Sequence, residues 1–382
     1  MSRNRIKVFF FIDSFRIGGM HRQVLNLVKH LNKDIFEPVM CTSSPHGSLR
    51  GEYEQTGCEL FDLGWKRALD PATVIRLIKI LHSQNPDIVF ITEAQNLFYY
   101  RIAKLFWIKK TVQIGSFRAL TFWKGHLKKH YQPIDNLFSK WLYNSSDSIV
   151  VNSVAMKDHY SNIIKINQKK PIQVIYNGSD FTFPITKSVT IIKQELNISS
   201  NEIIIIMVAR LDPWKDFITL LEAADIILKI DSRAKFLIVG DGELKMELDN
   251  KIAQMGLNEK ILLLGEKKDA INYINAADIS VLSTNGEGFS NSILESMSLG
   301  KPVIATNVGG NAELLDITGK CGILVPPNSP ELFANAILHL MKNEITRKLM
   351  GEAAKERIFK LCNIENHVTT YENLFLQKME KN

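Results

Sequence analysis

Cysteine is scarce and scattered. The 382-residue chain holds four, Cys41, Cys58, Cys321 and Cys362, with no Cys-x-x-Cys pair and no clustered spacing. Neither a zinc site nor a disulfide scaffold is indicated, and a reducing cytoplasm is the expected setting. Long apolar runs are missing too. The longest, Ile203 to Ala209, is far below the roughly 20 residues that cross a bilayer, and Val8 to Ile12 is too short for the apolar region of a signal peptide. The chain has no Asp-x-Asp and no His/Asp/Glu cluster at metal-ligand spacing, so no metal and no cofactor is expected. No G-x-x-x-x-G-K-[ST] occurs, and Gly286-x-Gly288 reaches Asn291 where a dinucleotide fingerprint needs a third glycine. P-loop ATPases and NAD enzymes lose ground. Repeats and low-complexity tracts are absent.

What is present is the composition of a soluble globular protein, 45% hydrophobic and 23% charged. The length favours about two domains. The net charge of +7 hides an asymmetry: residues 1–180 carry 25 Lys and Arg against 14 Asp and Glu, and the remainder 22 against 26. Residues 101–131 hold eight cations, from Arg101 to Lys129, and no acid, interleaved with Phe106, Trp107, Phe117, Phe122, Trp123 and Tyr131. Such a stretch suits an anionic membrane surface, or it is a solvated face over core aromatics. Nucleic acid is not favoured, since no known binding module accompanies it.

Short β-branched runs alternate with stretches of helical period, the pattern of parallel βαβ units. Strands are predicted at 7–12, 38–42, 88–92, 111–115, 148–151 and 172–176, then at 203–208, 235–239, 261–264, 279–282 and 302–305. The fold class is therefore α/β, with two doubly wound sheets. The expected boundary lies near Pro184, giving domains 1–183 and 184–363, and the helical segment 364–382 is expected to pack back on the first. Ligands in such sheets bind beyond the carboxyl ends of the strands, which directs attention to the loops there.

After the first strand, Gly18 and Gly19 precede a helix; they either let a phosphate approach the backbone or only make a tight turn. After the strand 203–208 come Arg210, a planar fork for phosphate oxygens, and Lys215, a point charge, with Asp216 able to cap the next helix. A solvated surface pair is the competing reading. After the strand 279–282 a Gly286-Glu287-Gly288 loop leads into a helix capped by Ser290 or Asn291, so the N–H groups of Phe289, Ser290 and Asn291 would face an anion. Glu287 and Glu295, on either side of this start, suit hydroxyl groups of one ligand; alternatively they are a loop charge and a helix-dipole partner.

These residues resemble the retaining glycosyltransferases of family 4, which have the GT-B fold of two Rossmann-like domains facing across a cleft. The carriers are the E-x7-E pattern of Glu287 and Glu295, the Arg210 and Lys215 pair, the Val174-Ile175-Tyr176-Asn177-Gly178 turn, the Val239-Gly240-Asp241-Gly242-Glu243 loop and Gly18-Gly19. The resemblance implies metal-independent sugar transfer from a nucleotide-diphosphate sugar with retained anomeric configuration. It places Arg210 and Lys215 on the donor diphosphate, Glu295 on the ribose and Glu287 on the transferred sugar. Gly19 and the Phe289 to Asn291 amides complete the phosphate cradle. Two positions depart from the family: Met20-His21 follows the glycines where a small residue and Glu are common, and Ser116-Phe117-Arg118 stands where a sugar-side histidine is common, with His126 or His130 as substitutes. The expected acceptor is a lipid-linked glycan or polysaccharide of the cell surface, reached at the inner face of the membrane. A phosphorylase or epimerase on the same fold, and a non-catalytic nucleotide-sugar sensor, are the alternatives.

Overall fold

The computed structural model describes residues 5–65, 70–118, 140, 141, 143–162 and 171–381. Lys124, Lys128 and Lys129 of the basic stretch, with Phe122, Trp123, Tyr131, His126 and His130, lie outside them. The chain divides into two compact units, residues 1–179 with 364–382, and residues 180–363.

The first unit is built on a parallel sheet of β1 (Ile6–Ile12), β2 (Phe36–Thr42), β3 (Glu59–Asp62), β4 (Ile88–Thr92), β5 (Val112–Phe117), β6 (Ser148–Val151) and β7 (Ile172–Val174), in the order β3-β2-β1-β4-β5-β6-β7. Helices α1 (Gly19–His30), α2 (Arg50–Gln55), α3 (Pro71–Gln84), α4 (Ala94–Lys104) and α5 (Val154–Asn162) connect the strands. Central strands read as continuous apolar runs because both faces are covered: Val8, Phe10 and Ile12 enter one core, Phe9 and Phe11 the other.

The second unit repeats the plan. Its sheet holds β8 (Ile203–Val208), β9 (Ala234–Val239), β10 (Ile261–Gly265), β11 (Ile279–Leu282), β12 (Val303–Thr306) and β13 (Ile323–Val325), in the parallel order β10-β9-β8-β11-β12-β13. Helices α6 (Val189–Glu195), α7 (Phe217–Ile230), α8 (Lys245–Gln254), α9 (Ala270–Ala276), α10 (Asn291–Ser298), α11 (Asn311–Leu315), α12 (Pro330–Lys342) and α13 (Glu344–Leu361) surround it. Two strands went unpredicted, β3 and β13. Both are short edge strands of three or four residues; β7 is equally short and half-exposed, but the buried Ile175 extends its apolar run and made it legible.

The last helix, α14 (Ile364–Glu380), belongs to the first unit. Its Tyr371 and Phe375 stack edge-on against Phe90 at centroid distances of 5.7 and 6.3 Å. His367 Nδ1 donates to the Tyr176 carbonyl at 2.6 Å, and Arg118 donates to Tyr371 Oη and Asn177 Oδ1, each at 2.9 Å. The Asn177-Gly178 turn is thereby clamped. A Cβ on Gly178 would stand 2.5 Å from that of His367, so only glycine admits the helix this close. No described helix is long and apolar enough to cross a membrane.

Candidate functional site

In a sheet of this order the crevice opens where connections reverse direction, between β8 and β11 in the second unit. Arg210, Lys215 and Glu287 occupy the loops after those two strands, and Glu295 the helix that follows β11.

The β8 loop is held in shape by its own side chains. Asp212 accepts from the Trp214 amide at 3.0 Å and caps a single 3-10 turn, Pro213–Lys215. Asp216, at φ 41°, caps α7 by accepting from Thr219 Oγ1 at 2.7 Å and from its amide at 3.4 Å. Arg210 Nε donates to Asp212 at 2.7 Å while its side chain stays 67% exposed. That contact fixes the root of the guanidinium and leaves the fork pointing outward, ready for oxygens brought by a ligand.

Lys215 is arranged differently. Its Nζ reaches Glu287 Oε2 across the two loops at 2.5 Å, with the side chains only 18% and 17% exposed. Sequence reasoning put the lysine on phosphate and the glutamate on a hydroxyl as separate groups; the structure makes them one ion pair. The lysine charge offsets the repulsion that a carboxylate would otherwise exert on an anion bound beside it. An ammonium has three donors, so the bond to Glu287 leaves two for an anion.

The β11 loop is tied to the β8 loop by short bonds. Thr284 Oγ1 and the Asn285 amide both donate to the Trp214 carbonyl at 2.8 Å, and Thr306 Oγ1 donates to the Thr284 carbonyl at 2.6 Å. Glycines permit the closest approaches. A Cβ on Gly309, at φ +52°, would lie 1.6 Å from the Glu287 carbonyl oxygen, and one on Gly240 1.9 Å from that of Ala209. The Val239-Gly240-Asp241-Gly242 motif thus supports the Arg210 loop from behind, and the Leu211 amide donates to the Asp241 carbonyl at 3.0 Å. Ser290 begins α10, accepting from the Ile293 amide at 3.3 Å. Phe289 and Ser290 are buried, Asn291 and Glu295 half-buried.

Sequence reasoning missed Asp212, Thr284, Thr306 and Gly309. The Asp212-Pro213 start was a legible cap signal; the threonines and Gly309 act through contacts between strands far apart in sequence. Among the described residues no three His, Cys, Asp or Glu side chains are placed to hold a metal ion.

In the first unit Gly18 and Gly19 form the turn between β1 and α1. Gly18 is extended at φ −177° and serves as N-cap without a side-chain bond. His21, where the sequence departs from the family, lies in the first turn of α1 and meets Asp13 through Nε2 at 2.6 Å; Arg16 joins the same carboxylate at 2.7 Å. Burial alone would raise the Asp13 carboxyl, but hydrogen bonds and charge from His21 and Arg16 outweigh it and hold it at about 2. Arg118, at the other departure, is committed to Ser116, Asn177 and Tyr371.

Two family profiles match the chain, "Glycosyltransferase Family 4" over residues 17–183 and "Glycosyl transferases group 1" over residues 188–357. Among curated relatives, N-acetyl-alpha-D-glucosaminyl L-malate synthase of Bacillus anthracis is 28% identical over 60% of this chain and 59% of its own length. That match therefore spans about three fifths of the relative. UDP-Gal:alpha-D-GlcNAc-diphosphoundecaprenol alpha-1,3-galactosyltransferase of Escherichia coli is 28% identical over 80% of this chain and 79% of its own. The crystal structure of Anabaena HepE in complex with UDP-glucose superposes with a TM-score of 0.83 at 20% identity, covering 98% of this chain and all of that one. That likeness establishes the GT-B fold.

Proposed function

Because the chain belongs to the family 4 glycosyltransferases of GT-B fold, we propose that it moves a sugar from a uridine diphosphate sugar to a lipid-linked glycan or polysaccharide at a membrane surface, with the anomeric configuration retained and no metal ion. The observation that carries the reading is the Lys215–Glu287 pair spanning the β8 and β11 loops beside the open fork of Arg210. Two cations on one loop are available to the charge that a leaving diphosphate gathers, and the carboxylate paired with Lys215 can accept from a sugar hydroxyl. Cations fixed in advance stabilise developing charge without reorganising at the moment of reaction. Glu295, one turn into α10, is assigned to the ribose, and the backbone from Phe289 to Asn291 to phosphate. Gly18 and Gly19 give a turn to which a phosphate can come close. In the transfer an acceptor oxygen bonds to the anomeric carbon as that carbon's bond to the diphosphate breaks, and the acceptor proton leaves with the diphosphate. The uridine and the lipid-linked acceptor are drawn from the E. coli relative and the HepE complex, the metal independence from the missing Asp-x-Asp.

The test is turnover with a panel of nucleotide sugars, with the product anomer assigned by NMR. Transfer from a UDP-sugar, unaffected by EDTA and giving the donor's own anomer, is the expected result. Hydrolysis or phosphorolysis without transfer, an inverted product, or loss in EDTA restored by Mn²⁺ would overturn the corresponding part.

A further inference from the structure

Outside the site just described, the first unit carries an apolar projection at the end of α4. Leu105, Phe106 and Ile108 are 75%, 64% and 90% exposed, in the five residues that follow the helix. Three large apolar side chains so close together are not the scattered surface residues that need no explanation. On one side of α4, Phe106 continues into a groove of about 490 Å³, where Phe98 and Ile102 face Val74, Ile75 and Ile78 of α3. On the other side lies a second hollow of about 390 Å³, lined by Arg101, Lys140, Trp141, Asn144 and Ser145. There Arg101 stands 5.9 Å from the half-exposed Trp141 ring, and its Nε is buried without a hydrogen-bond partner among the described atoms.

The charges deserve a census, since the sequence alone overstates them. Lys109 is taken by Asp87 at 3.0 Å, and Lys104 donates to the Lys109 carbonyl while lying over the Trp107 ring. Arg101 and Lys140 line the second hollow beside the projection. The surface is therefore an apolar tip flanked by cations and by a tryptophan, the order in which a bilayer presents acyl chains, interface and anionic headgroups.

We propose that residues 101–110 with 140–145 form a docking site for a phospholipid bilayer bearing anionic headgroups. Leu105, Phe106 and Ile108 enter the acyl region, the α3–α4 groove receives an acyl chain, and a headgroup phosphate sits at Arg101 and Lys140. This deepens the reading of a lipid-linked acceptor, on which it rests, by naming the face that meets the membrane.

The full chain is mixed with phosphatidylcholine vesicles with and without phosphatidylglycerol, no donor or acceptor being present. Co-sedimentation with the anionic vesicles is expected, weakening with salt. Lys140→Glu should cut binding about fivefold or more at low salt, at about 1 kcal/mol per cation. Phe106→Ser with Ile108→Ser should cut it about tenfold at any salt, with an unchanged thermal midpoint because both side chains are already exposed. Ile108→Trp should add fluorescence that brominated acyl chains quench. Binding untouched by Lys140→Glu and by the Phe106/Ile108 pair, no quenching, or no anionic-vesicle binding by the wild type overturns the proposal, the last leaving a protein partner as the occupant of the projection. Turnover on a soluble acceptor without vesicle binding would sink the docking and leave the transferase standing; vesicle binding without turnover on any nucleotide sugar would do the reverse.

Discussion

Lys215 and Glu287 change meaning once they are seen together. A lysine facing only a ligand would lose one interaction on truncation. Here Lys215→Ala also leaves a carboxylate that is 17% exposed without its counter-charge, a cost that buried unpaired groups carry in full. Arg210→Ala and Lys215→Ala should each lower turnover about 100- to 1000-fold, with Lys215→Ala the more damaging. The Lys215→Ala/Glu287→Ala pair should lose clearly less than the two single losses multiplied, because groups in direct contact are not additive. Glu295→Ala should mainly raise KM and Glu287→Ala mainly lower kcat. Steady-state kinetics on four single variants and one double variant decide the point; strict multiplicativity would mean that the pair does not persist in the working enzyme.

Elements matter here chiefly through how closely their backbones approach. The loops after β8, β9, β11 and β12 are pressed together at Gly240, Gly242 and Gly309, each with positive φ and a carbonyl oxygen where a Cβ would go. Gly309→Ala must move the Glu287 backbone, since the added carbon would sit 1.6 Å from its carbonyl oxygen. We expect a stability loss of about 1–3 kcal/mol, typical of forced overpacking, together with loss of transfer far beyond that of a surface substitution. Urea unfolding and turnover measured on the same preparation check this. A folded, fully active Gly309→Ala protein would show that the 287 loop shifts freely and that its position is not what catalysis uses.

At the level of the whole molecule, the first unit is completed by residues 364–382, from the far end of the chain. His367 is the pin of that closure. Burial, then the nearby Arg118 charge, depress its imidazole to about 3, against a hydrogen bond to Tyr176 that pulls the other way. The folded protein therefore holds this ring neutral across a range where the unfolded chain, near 6.5, takes up a proton. Its contribution to stability is complete above pH 6.5 and is lost as pH falls from there toward 3, at about 1.4 kcal/mol per pH unit. Denaturant midpoints for the first unit should fall between pH 7 and pH 5, and His367→Gln should flatten that slope while lowering stability at pH 7. An unchanged slope would place the pH sensitivity elsewhere, Asp13 titrating too low, at about 2, to account for it.

The sequence by itself determined the α/β class, the central strands and the loops worth inspecting, because strands covered on both faces must be continuously apolar and because helix caps and Gly-Gly turns are written in adjacent residues. β8, β11 and the Ser290 start of α10 could all be read in this way. The edge strands β3 and β13 were not read, whereas β7, equally short and half-exposed, was legible because the buried Ile175 extends its apolar run. The pairing of Lys215 with Glu287, 72 residues apart, was decided only by the tertiary structure, as were the support of the Arg210 loop by Gly240, the engagement of Lys109 by Asp87 and the clamp of His367 on Tyr176. The first three are contacts brought together by parallel strand pairing and the last by the docking of α14, and both set neighbours in space that local composition does not mark.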